Sequence, residues 1–265
     1  MRAVIQFVLA VLVLAACLSV STRDVDTLAL MRPHVSDIES MLPTAGSVVG
    51  VAHPVVVKFR APIVDRIAAE RELGIRSTPA MTGKYEWLDD TSVQWKPDRF
   101  WPAHSTVMLA VEGDSSTFKT GAAVVGTASI TDHTFTVTVD GQIPPDFPAP
   151  HHLPHAGEPG VLLASMGRPE YATPIGTYSV LSKDRDVVMD SSTVGIPVDD
   201  PDGYNLVVDY AVRITRRGLY VHSAPWAVSA MGFDNVSHGC VSLNPAEAEW
   251  YFNTVHVGDP VIVKE

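Results

Sequence analysis

The sequence predicts a mainly β protein in which a small β-sandwich precedes a second β-rich domain with one short C-terminal helix. Short runs of β-branched and aromatic residues recur along the chain, separated by Gly, Pro and Asp. Only one fully convincing helix pattern is present, and it lies near the C-terminus. With 265 residues and 46% hydrophobic content, the chain can bury two cores. A single large β domain is the alternative.

Residues 1–17 predict a signal peptide. An apolar stretch from 3 to 16, broken only by Gln6, follows Met1 and Arg2 and is too short to span a membrane. Its end, residues 14–17, resembles a bacterial lipobox in which Cys17 becomes the lipid-bearing first residue. The alternatives are ordinary signal-peptidase cleavage and retention as an uncleaved anchor. We therefore expect an exported protein on the outer face of the cell membrane or in the periplasm and cell wall, tethered by a lipid.

Residues 18–44 are polar, contain two prolines and predict a tether with at most one or two helical turns around residues 35–41. The sandwich domain is predicted over residues 45–125. A short helix is expected over 63–73, between a proline and a glycine. The predicted strands of this domain are 55–59, 85–87, 92–95 and 106–111.

The second domain is predicted over residues 126–265. Its helix is expected to begin at Asn244, a good N-cap, with Pro245 in the first turn and Glu247 completing a capping box. The predicted strands of this domain are 134–139, 161–166, 176–180, 206–212, 218–221 and 261–263.

The net charge and the histidine-rich segment argue against nucleic-acid binding and against a metal site, respectively. The net charge of −11 opposes nucleic-acid binding through bulk electrostatics, because phosphate would be repelled. The histidine-rich segment 151–155 lies in a proline-rich loop and lacks a complete set of ligands, so a stiff solvated loop is favoured over a metal site. No metal and no cofactor are predicted.

Cys240 is the predicted nucleophile. It is the only cysteine besides Cys17, and a lone thiol in an oxidising compartment is a liability unless it is used. A disulfide between the two cysteines is the alternative. A thiol with pKa of about 8.5 is only a few per cent ionised at pH 7. An imidazolium at His222 would have to stabilise the thiolate by about 5 kcal/mol to bring the pKa of Cys240 to about 5.

A family resemblance starts from this pair. His222, followed after fourteen residues by Ser237-His238-Gly239-Cys240, resembles the signature of L,D-transpeptidases, the YkuD-type enzymes that cross-link bacterial peptidoglycan. Residues 189–193, 204, 221–226 and 244–250 resemble the mycobacterial-type branch, so the similarity covers residues 127–263. Residues 55–111 resemble the Ig-like domain that precedes the catalytic domain in that branch.

The resemblance implies a mechanism. Cys240 would attack the carbonyl of the meso-diaminopimelyl-D-alanine bond in a donor tetrapeptide, release D-Ala and form a thioester. His222 would be the counter-ion of the thiolate and the proton donor to the leaving amine. It would then take a proton from the acceptor amine that completes a 3-3 cross-link. The carbonyl of Ser223 would hold the imidazole, and the backbone N–H groups of Gly239 and Cys240 would bind the oxyanion.

Other site residues follow from the same resemblance. His238 is expected to brace the loop and contact substrate rather than act as a second base, and Ser237 to hydrogen-bond within its turn. Ser242 stands where many relatives carry Arg or Asn. The expected partners are peptidoglycan stem peptides, carbapenem inhibitors and, through the lipid, a membrane. The residues assigned to substrate binding are Tyr204, Met189, Ser237, Trp226 and Ser242, with ordinary packing as the alternative for Tyr204, Met189 and Trp226.

Two other functions remain open. The first is a hydrolase of the same fold, an L,D-carboxypeptidase or cross-link-cleaving enzyme in which water resolves the thioester. The second is a non-catalytic zinc-binding or wall-binding protein that uses His222, His238 and Cys240 as ligands.

Overall fold

The structure, a computed structural model, describes residues 37–111, 114–150 and 152–265. The predicted signal peptide, the lipidation site Cys17 and most of the predicted tether lie outside these residues. Within the described ranges, neither α-helix has the length and apolar character needed to cross a bilayer.

The first domain is a sandwich of two four-stranded sheets. Inward-facing side chains alternate along the strands and meet in one core that includes Trp95, Trp101 and Phe118. One sheet has the order β1 (Ile38–Leu42), β3 (Val55–Phe59), β6 (Ser92–Pro97) and β5 (Gly83–Trp87). The other has the order β2 (Val48–Val49), β8 (Asp114–Thr120), β7 (Thr106–Val111) and β4 (Arg76–Thr78).

The prediction of a helical turn around residues 35–41 is wrong. Residues 38–42 form β1, which pairs antiparallel with β3. Ile38 and Met41 are partly buried against the sandwich core, so this segment belongs to the sheet rather than to a free tether. Burial against an existing strand outweighs the weak local preference for a turn.

The helix predicted over residues 63–73 is present but starts later, as α1 (Arg66–Leu73). Asp65 fixes its start, because the Asp65 carboxylate accepts a hydrogen bond from the Ala68 N–H at 2.9 Å. Gly74 ends it with a φ of +45°. Leu73 is buried, whereas Ile67 is 63% exposed.

The second domain contains two sheets and a separate hairpin. The five-stranded sheet has the order β11 (Val161–Leu163), β10 (Thr134–Val139), β9 (Val124–Ser129), β19 (Pro260–Lys264) and β12 (Gly176–Ser179). The four-stranded sheet has the order β13 (Ser182–Asp184), β16 (Ala211–Arg213), β17 (Tyr220–Ser223) and β18 (Val241–Leu243). β14 (Val187–Asp190) and β15 (Asn205–Val208) form the hairpin.

The strand predicted over residues 206–212 divides into two. The chain turns at Tyr210, whose φ is +48°, and Arg185 pairs with the preceding Asp209. β15 therefore joins the hairpin, while β16 joins the sheet that carries the histidine of the site. This break allows the hairpin to leave the sheet and lie over the site.

The C-terminal helix, α2 (Pro245–Thr254), starts where the sequence predicts. The Asn244 side chain accepts a hydrogen bond from the Glu247 N–H at 3.0 Å, which fixes the start of the helix. α2 packs against β16 and β17. Its buried Tyr251 meets the edge of Phe135 with ring centroids 4.9 Å apart, which ties this helix to both sheets.

The two domains are joined by backbone hydrogen bonds. The Gly50 N–H donates to the Val257 carbonyl at 2.9 Å, and the Ala52 N–H donates to the Gly258 carbonyl at 2.7 Å. The joint leaves no room at Gly50, since a Cβ atom there would lie 2.1 Å from the backbone nitrogen of the buried Asp259.

We expect Gly50→Ala to destabilise this joint. The added methyl group must displace backbone rather than a flexible side chain, so the free energy of unfolding should fall by about 1–3 kcal/mol. Thermal or urea unfolding measures this loss. Gly121→Ala is the matched control, because the nearest atom to its Cβ would be 3.9 Å away. Equal unfolding curves for the two variants would contradict the expectation.

Candidate active site

Two parallel strands bring the predicted catalytic pair together. β17 and β18 pair in the register Val221 with Val241 and His222 with Ser242. Cys240 immediately precedes β18, so alternation along the strand puts Cys240 and Ser242 on the same face as His222. All three line one cavity of about 180 Å³.

The ring of His222 is held in one tautomer. Its Nδ1 lies 2.8 Å from the Ser223 carbonyl oxygen, as expected. A carbonyl only accepts hydrogen bonds, so Nδ1 carries the proton and Nε2 keeps a lone pair. The side chain is buried, and burial lowers the pKa of His222 below its usual value, because the charged ring would lose its hydration. His222 is therefore a neutral base at rest.

The thiol of Cys240 is free and neutral. Its Sγ lies 3.8 Å from the Gly218 carbonyl oxygen. Burial raises the pKa of Cys240 to about 11, only partly offset by a hydrogen bond to the Tyr220 backbone. These two pKa shifts disfavour the expected thiolate–imidazolium pair at rest. Burial disfavours both the imidazolium and the thiolate. Among the described residues, neither His222 nor Cys240 has an ionic partner that would offset the lost hydration.

The loop before Cys240 is fixed by hydrogen bonds. The Ser237 hydroxyl donates to the Cys240 carbonyl at 2.7 Å and accepts from the Gly239 N–H at 3.0 Å. Gly239 has a φ of +119°, and a Cβ there would touch Leu219 at 3.0 Å, so glycine is required. One expectation changes: the Gly239 N–H, assigned to the oxyanion, is already bonded to Ser237 in the resting loop.

Thr173 supports the same loop and was missed by the sequence analysis. Its buried hydroxyl donates to the Gly239 carbonyl at 2.7 Å and accepts from the Gly167 N–H at 2.9 Å. A lone threonine 66 residues from its partner gives no signal in sequence. The two bonds fix the position of Gly239 and so the path of the chain into Cys240.

His238 lies in a network of polar and aromatic groups. Arg168 donates to its Nε2 at 3.2 Å and pairs with Asp202 at 2.5 Å. The rings of Tyr171 and Tyr204 lie 4.8 and 4.9 Å from the His238 ring. Burial and the Arg168 charge lower the pKa of His238. With its Nε2 facing an Arg168 N–H group, the His238 ring links the loop before Cys240 to the segment that carries Asp202.

The hairpin forms one side of the cavity. Met189 on β14 and Tyr204, next to β15, both line it. The Ser191 hydroxyl accepts from the Tyr204 N–H at 3.0 Å, which fixes the backbone of this tyrosine. Trp226 lines the same cavity, lies 6.2 Å from the His222 ring and is 56% exposed, so it is not a core residue. The buried Ser242 completes the floor.

The residues proposed as zinc ligands do not form a metal site. Among the described residues, no three His, Cys, Asp or Glu side chains are placed to hold a metal ion. The Nε2 of His238 also faces the Arg168 guanidinium, where a second cation would be repelled.

Two family profiles match the chain. The family profile of the L,D-transpeptidase catalytic domain matches residues 106–263, and that of a bacterial Ig domain matches residues 19–115. The chain is 62% identical over 271 residues to the probable L,D-transpeptidase 3 of Mycobacterium tuberculosis strain ATCC 25618 / H37Rv, with all of both chains covered.

Solved structures agree with these matches. L,D-transpeptidase 3 from Mycobacterium tuberculosis, in complex with a faropenem-derived adduct, is 66% identical with a TM-score of 0.83, covering 88% of this chain and 100% of that one. The LD transpeptidase LdtMt1 in complex with imipenem is 46% identical with a TM-score of 0.77. The match covers 86% of this chain and 98% of that one. The chain belongs to the L,D-transpeptidase family, as a transferase with a YkuD-type catalytic domain preceded by a bacterial Ig-like domain.

Proposed function

We propose that the protein is an exported transpeptidase that forms 3-3 cross-links between peptidoglycan stem peptides through a thioester on Cys240, with release of D-Ala. The observation that carries this proposal is the tautomer of His222. With Nδ1–H bonded to the Ser223 carbonyl, Nε2 keeps its lone pair in the cavity that Cys240 lines. A base and a nucleophile that share a cavity can activate a thiol without a preformed charge.

Acylation starts from the neutral pair. As the Cys240 sulfur attacks the donor carbonyl, its proton passes to Nε2 of His222, so neither charge is buried before the bond forms. The tetrahedral oxyanion requires backbone donors, and the Gly239 N–H reaches it only by exchanging its bond to Ser237. His222 then returns the proton to the leaving amine. The products are a thioester and free D-Ala.

Deacylation reverses these roles. The acceptor amine attacks the thioester carbonyl, His222 takes a proton from the amine, and the thiol is restored. The hydrolase alternative differs only in that water replaces the amine. The zinc-binding alternative is disfavoured by the Arg168 guanidinium next to His238.

The lining of the cavity suggests how the donor is held. Met189 and Tyr204 on the hairpin, with the exposed Trp226 opposite the imidazole, would enclose the donor peptide. Ser242 would offer a hydroxyl at the floor. His238 would brace the loop rather than act as a base, because Arg168 occupies its accepting nitrogen.

Inhibitor binding and location belong to the same proposal. The relatives in complex with a faropenem-derived adduct and with imipenem support acylation of Cys240 by a carbapenem. Export and lipid anchoring through Cys17 follow from the N-terminal sequence and agree with a substrate in the cell wall. Metabolic labelling with a radioactive fatty acid, compared with Cys17→Ala, tests the anchor.

Intact-mass measurement tests the reaction. Incubation with a disaccharide-tetrapeptide should add the donor mass minus D-Ala to the enzyme. A second stem peptide should then yield a cross-linked dimer. Finding tripeptide with no dimer would support the hydrolase instead, and no adduct with either tetrapeptide or imipenem would refute the proposal.

The resting protonation states predict a pH profile for imipenem acylation. Neutral His222 is the active form and burial lowers its pKa, so the rate should fall on the acid side with a midpoint below the usual value of about 6.5. The thiol, with a pKa of about 11, stays protonated far above neutrality. The rate should therefore show a plateau from about pH 7 to 9. A fall across that range would indicate that an imidazolium is required. Stopped-flow fluorescence measures the rate constant.

A further inference from the structure

The hairpin beside the cavity has little support from its own strands. β14 and β15 pair only with each other, whereas every other strand of the second domain belongs to one of the two larger sheets. Val188 and Val207 pair across the hairpin and are 62% and 59% exposed. The next pair, Met189 and Leu206, lines the cavity itself. The position of the hairpin therefore depends strongly on the loop that connects its two strands.

One carboxylate joins this hairpin loop, residues 191–204, to the rest of the domain. Among the described residues, the side-chain hydrogen bonds that leave the hairpin and its loop all end at Asp202. Its Oδ1 accepts from the Arg168 guanidinium at 2.5 Å, and its Oδ2 accepts from the Tyr171 hydroxyl at 3.3 Å. The Asp200 carboxylate accepts from the Asp202 N–H at 2.9 Å, which fixes the backbone at this point. Asp202 is thus a preformed attachment point of the loop.

Arg168 connects this carboxylate with the loop before Cys240. Its guanidinium donates to Nε2 of His238 at 3.2 Å, and its backbone N–H donates to the Ser237 carbonyl at 3.0 Å. The Arg168 side chain is only 25% exposed, so water and salt screen its attraction to Asp202 less than they screen a fully exposed pair. The ion pair therefore ties the hairpin loop to the loop of the nucleophile.

The wall of the cavity begins two residues after Asp202. Tyr204 lines the cavity, and its ring centroid lies 4.9 Å from that of His238, which also lines it. Gly203, between Asp202 and Tyr204, is tightly packed, because a Cβ atom there would lie 2.3 Å from the Pro197 carbonyl oxygen. A displacement of Asp202 would therefore be passed on to Tyr204 rather than absorbed between them.

We propose that the ion pair of Arg168 with Asp202 is a clasp that holds the hairpin over the donor, and that both are positioning residues for donor binding. This inference rests on the proposed transpeptidase function, in which the donor peptide lies under the hairpin. The clasp acts through Tyr204 and His238 and touches neither reacting group. It sets the fraction of molecules in which the donor cavity is fully formed, so its loss lowers donor affinity and leaves the acylation step intact.

Asp202→Asn tests the clasp while Arg168 keeps its contact with His238. Acyl-enzyme formation is followed by mass spectrometry at increasing concentrations of a disaccharide-tetrapeptide. We expect the donor concentration at half-maximal rate to rise about fivefold or more, with a maximal rate within about twofold of wild type. The unfolding temperature should stay close to that of wild type. Asp202→Glu, which keeps the charge, should recover most of the lost affinity.

Asp90→Asn is the matched control. Asp90 accepts from Arg66 at 2.9 Å, and Arg66 lies over the ring of Trp87 as Arg168 lies over the ring of Tyr171. This second arrangement of arginine, carboxylate and aromatic ring belongs to the first domain. The control variant should match wild type in donor dependence. An equal rise in both variants would contradict a specific role for the clasp.

A double-mutant cycle tests the partnership itself. Arg168→Gln should also weaken donor binding, and adding Asp202→Asn to it should weaken binding no further, because the first substitution has already broken the pair. Losses that add in the double variant would show that the two residues act separately, which would overturn the inference.

Hydrogen exchange gives a readout that needs no substrate. In Asp202→Asn the amides of the hairpin loop should exchange about threefold faster or more, while those of α2 keep the wild-type rate. Unchanged exchange in the loop, or an unchanged donor dependence, would overturn the inference. Failure of the wild type to form any acyl-enzyme would instead remove the proposed function, and the exchange rates would still decide whether the ion pair holds the hairpin.

Discussion

Cys240→Ala should abolish transpeptidation and imipenem adduct formation while the fold remains intact. Without the sulfur no thioester can form, and loss of a catalytic nucleophile typically lowers kcat by at least about 10⁴-fold. The replaced group is small, and its contacts with the Gly218 carbonyl and the Tyr220 backbone are weak thiol hydrogen bonds, so the unfolding temperature should shift little. Mass spectrometry measures the adduct, and circular dichroism with thermal unfolding measures the fold.

Cys17→Ala is the matched control, since the chain has only two cysteines. This variant should keep full activity in vitro and should form one imipenem adduct. An adduct that persists in Cys240→Ala and disappears in Cys17→Ala would show that the wrong sulfur has been assigned.

His222→Asn should lower the rate of imipenem acylation by about 10²- to 10⁴-fold. The amide of asparagine can still donate to the Ser223 carbonyl, but it cannot take the thiol proton. The acid limb of the pH profile should disappear with the imidazole. The residual rate should instead rise with pH as the Cys240 thiol ionises, toward its pKa of about 11. Stopped-flow measurements over a range of pH give both the size of the loss and the change of profile.

His53→Asn is a close control for this experiment. His53 is also buried, has a pKa lowered by burial, and bonds through Nδ1 to the carbonyl of the next residue, Pro54, at 2.7 Å. It lies in the first domain, away from the cavity. Its replacement should change stability at most, with acylation within about twofold of wild type. A comparable rate loss in both variants would mean that His222 acts through structure rather than as a base.

The placement of Cys240 and His222 at one cavity could be predicted because it is encoded locally. Ser237, Gly239 and Cys240 form one tight turn, and the histidine lies on the neighbouring parallel strand, so one motif and its spacing suffice. The cap at Asn244 was predictable for the same reason, since the Glu247 N–H that it binds lies only three residues further along the chain.

Features that depend on distant partners could not be predicted. Arg168 meets His238 across 70 residues and Asp202 across 34, and no spacing rule links them. The strand break at Tyr210 lies beside the Arg185–Asp209 pair, whose members are 24 residues apart. The ionisation of Cys240 depends on burial, which raises the pKa of a thiol that the sequence alone suggests is ionised.

The position of β19 limits how the catalytic domain can be assembled. Residues 260–264 pair parallel with β9 and antiparallel with β12, so they lie inside the five-stranded sheet rather than at its edge. Until residue 264 has emerged from the ribosome, β12 lacks the strand with which it pairs, and one edge of β9 is unpaired. Synthesis of nearly all 265 residues must therefore precede formation of this sheet, so the second domain stays open until its last strand is available.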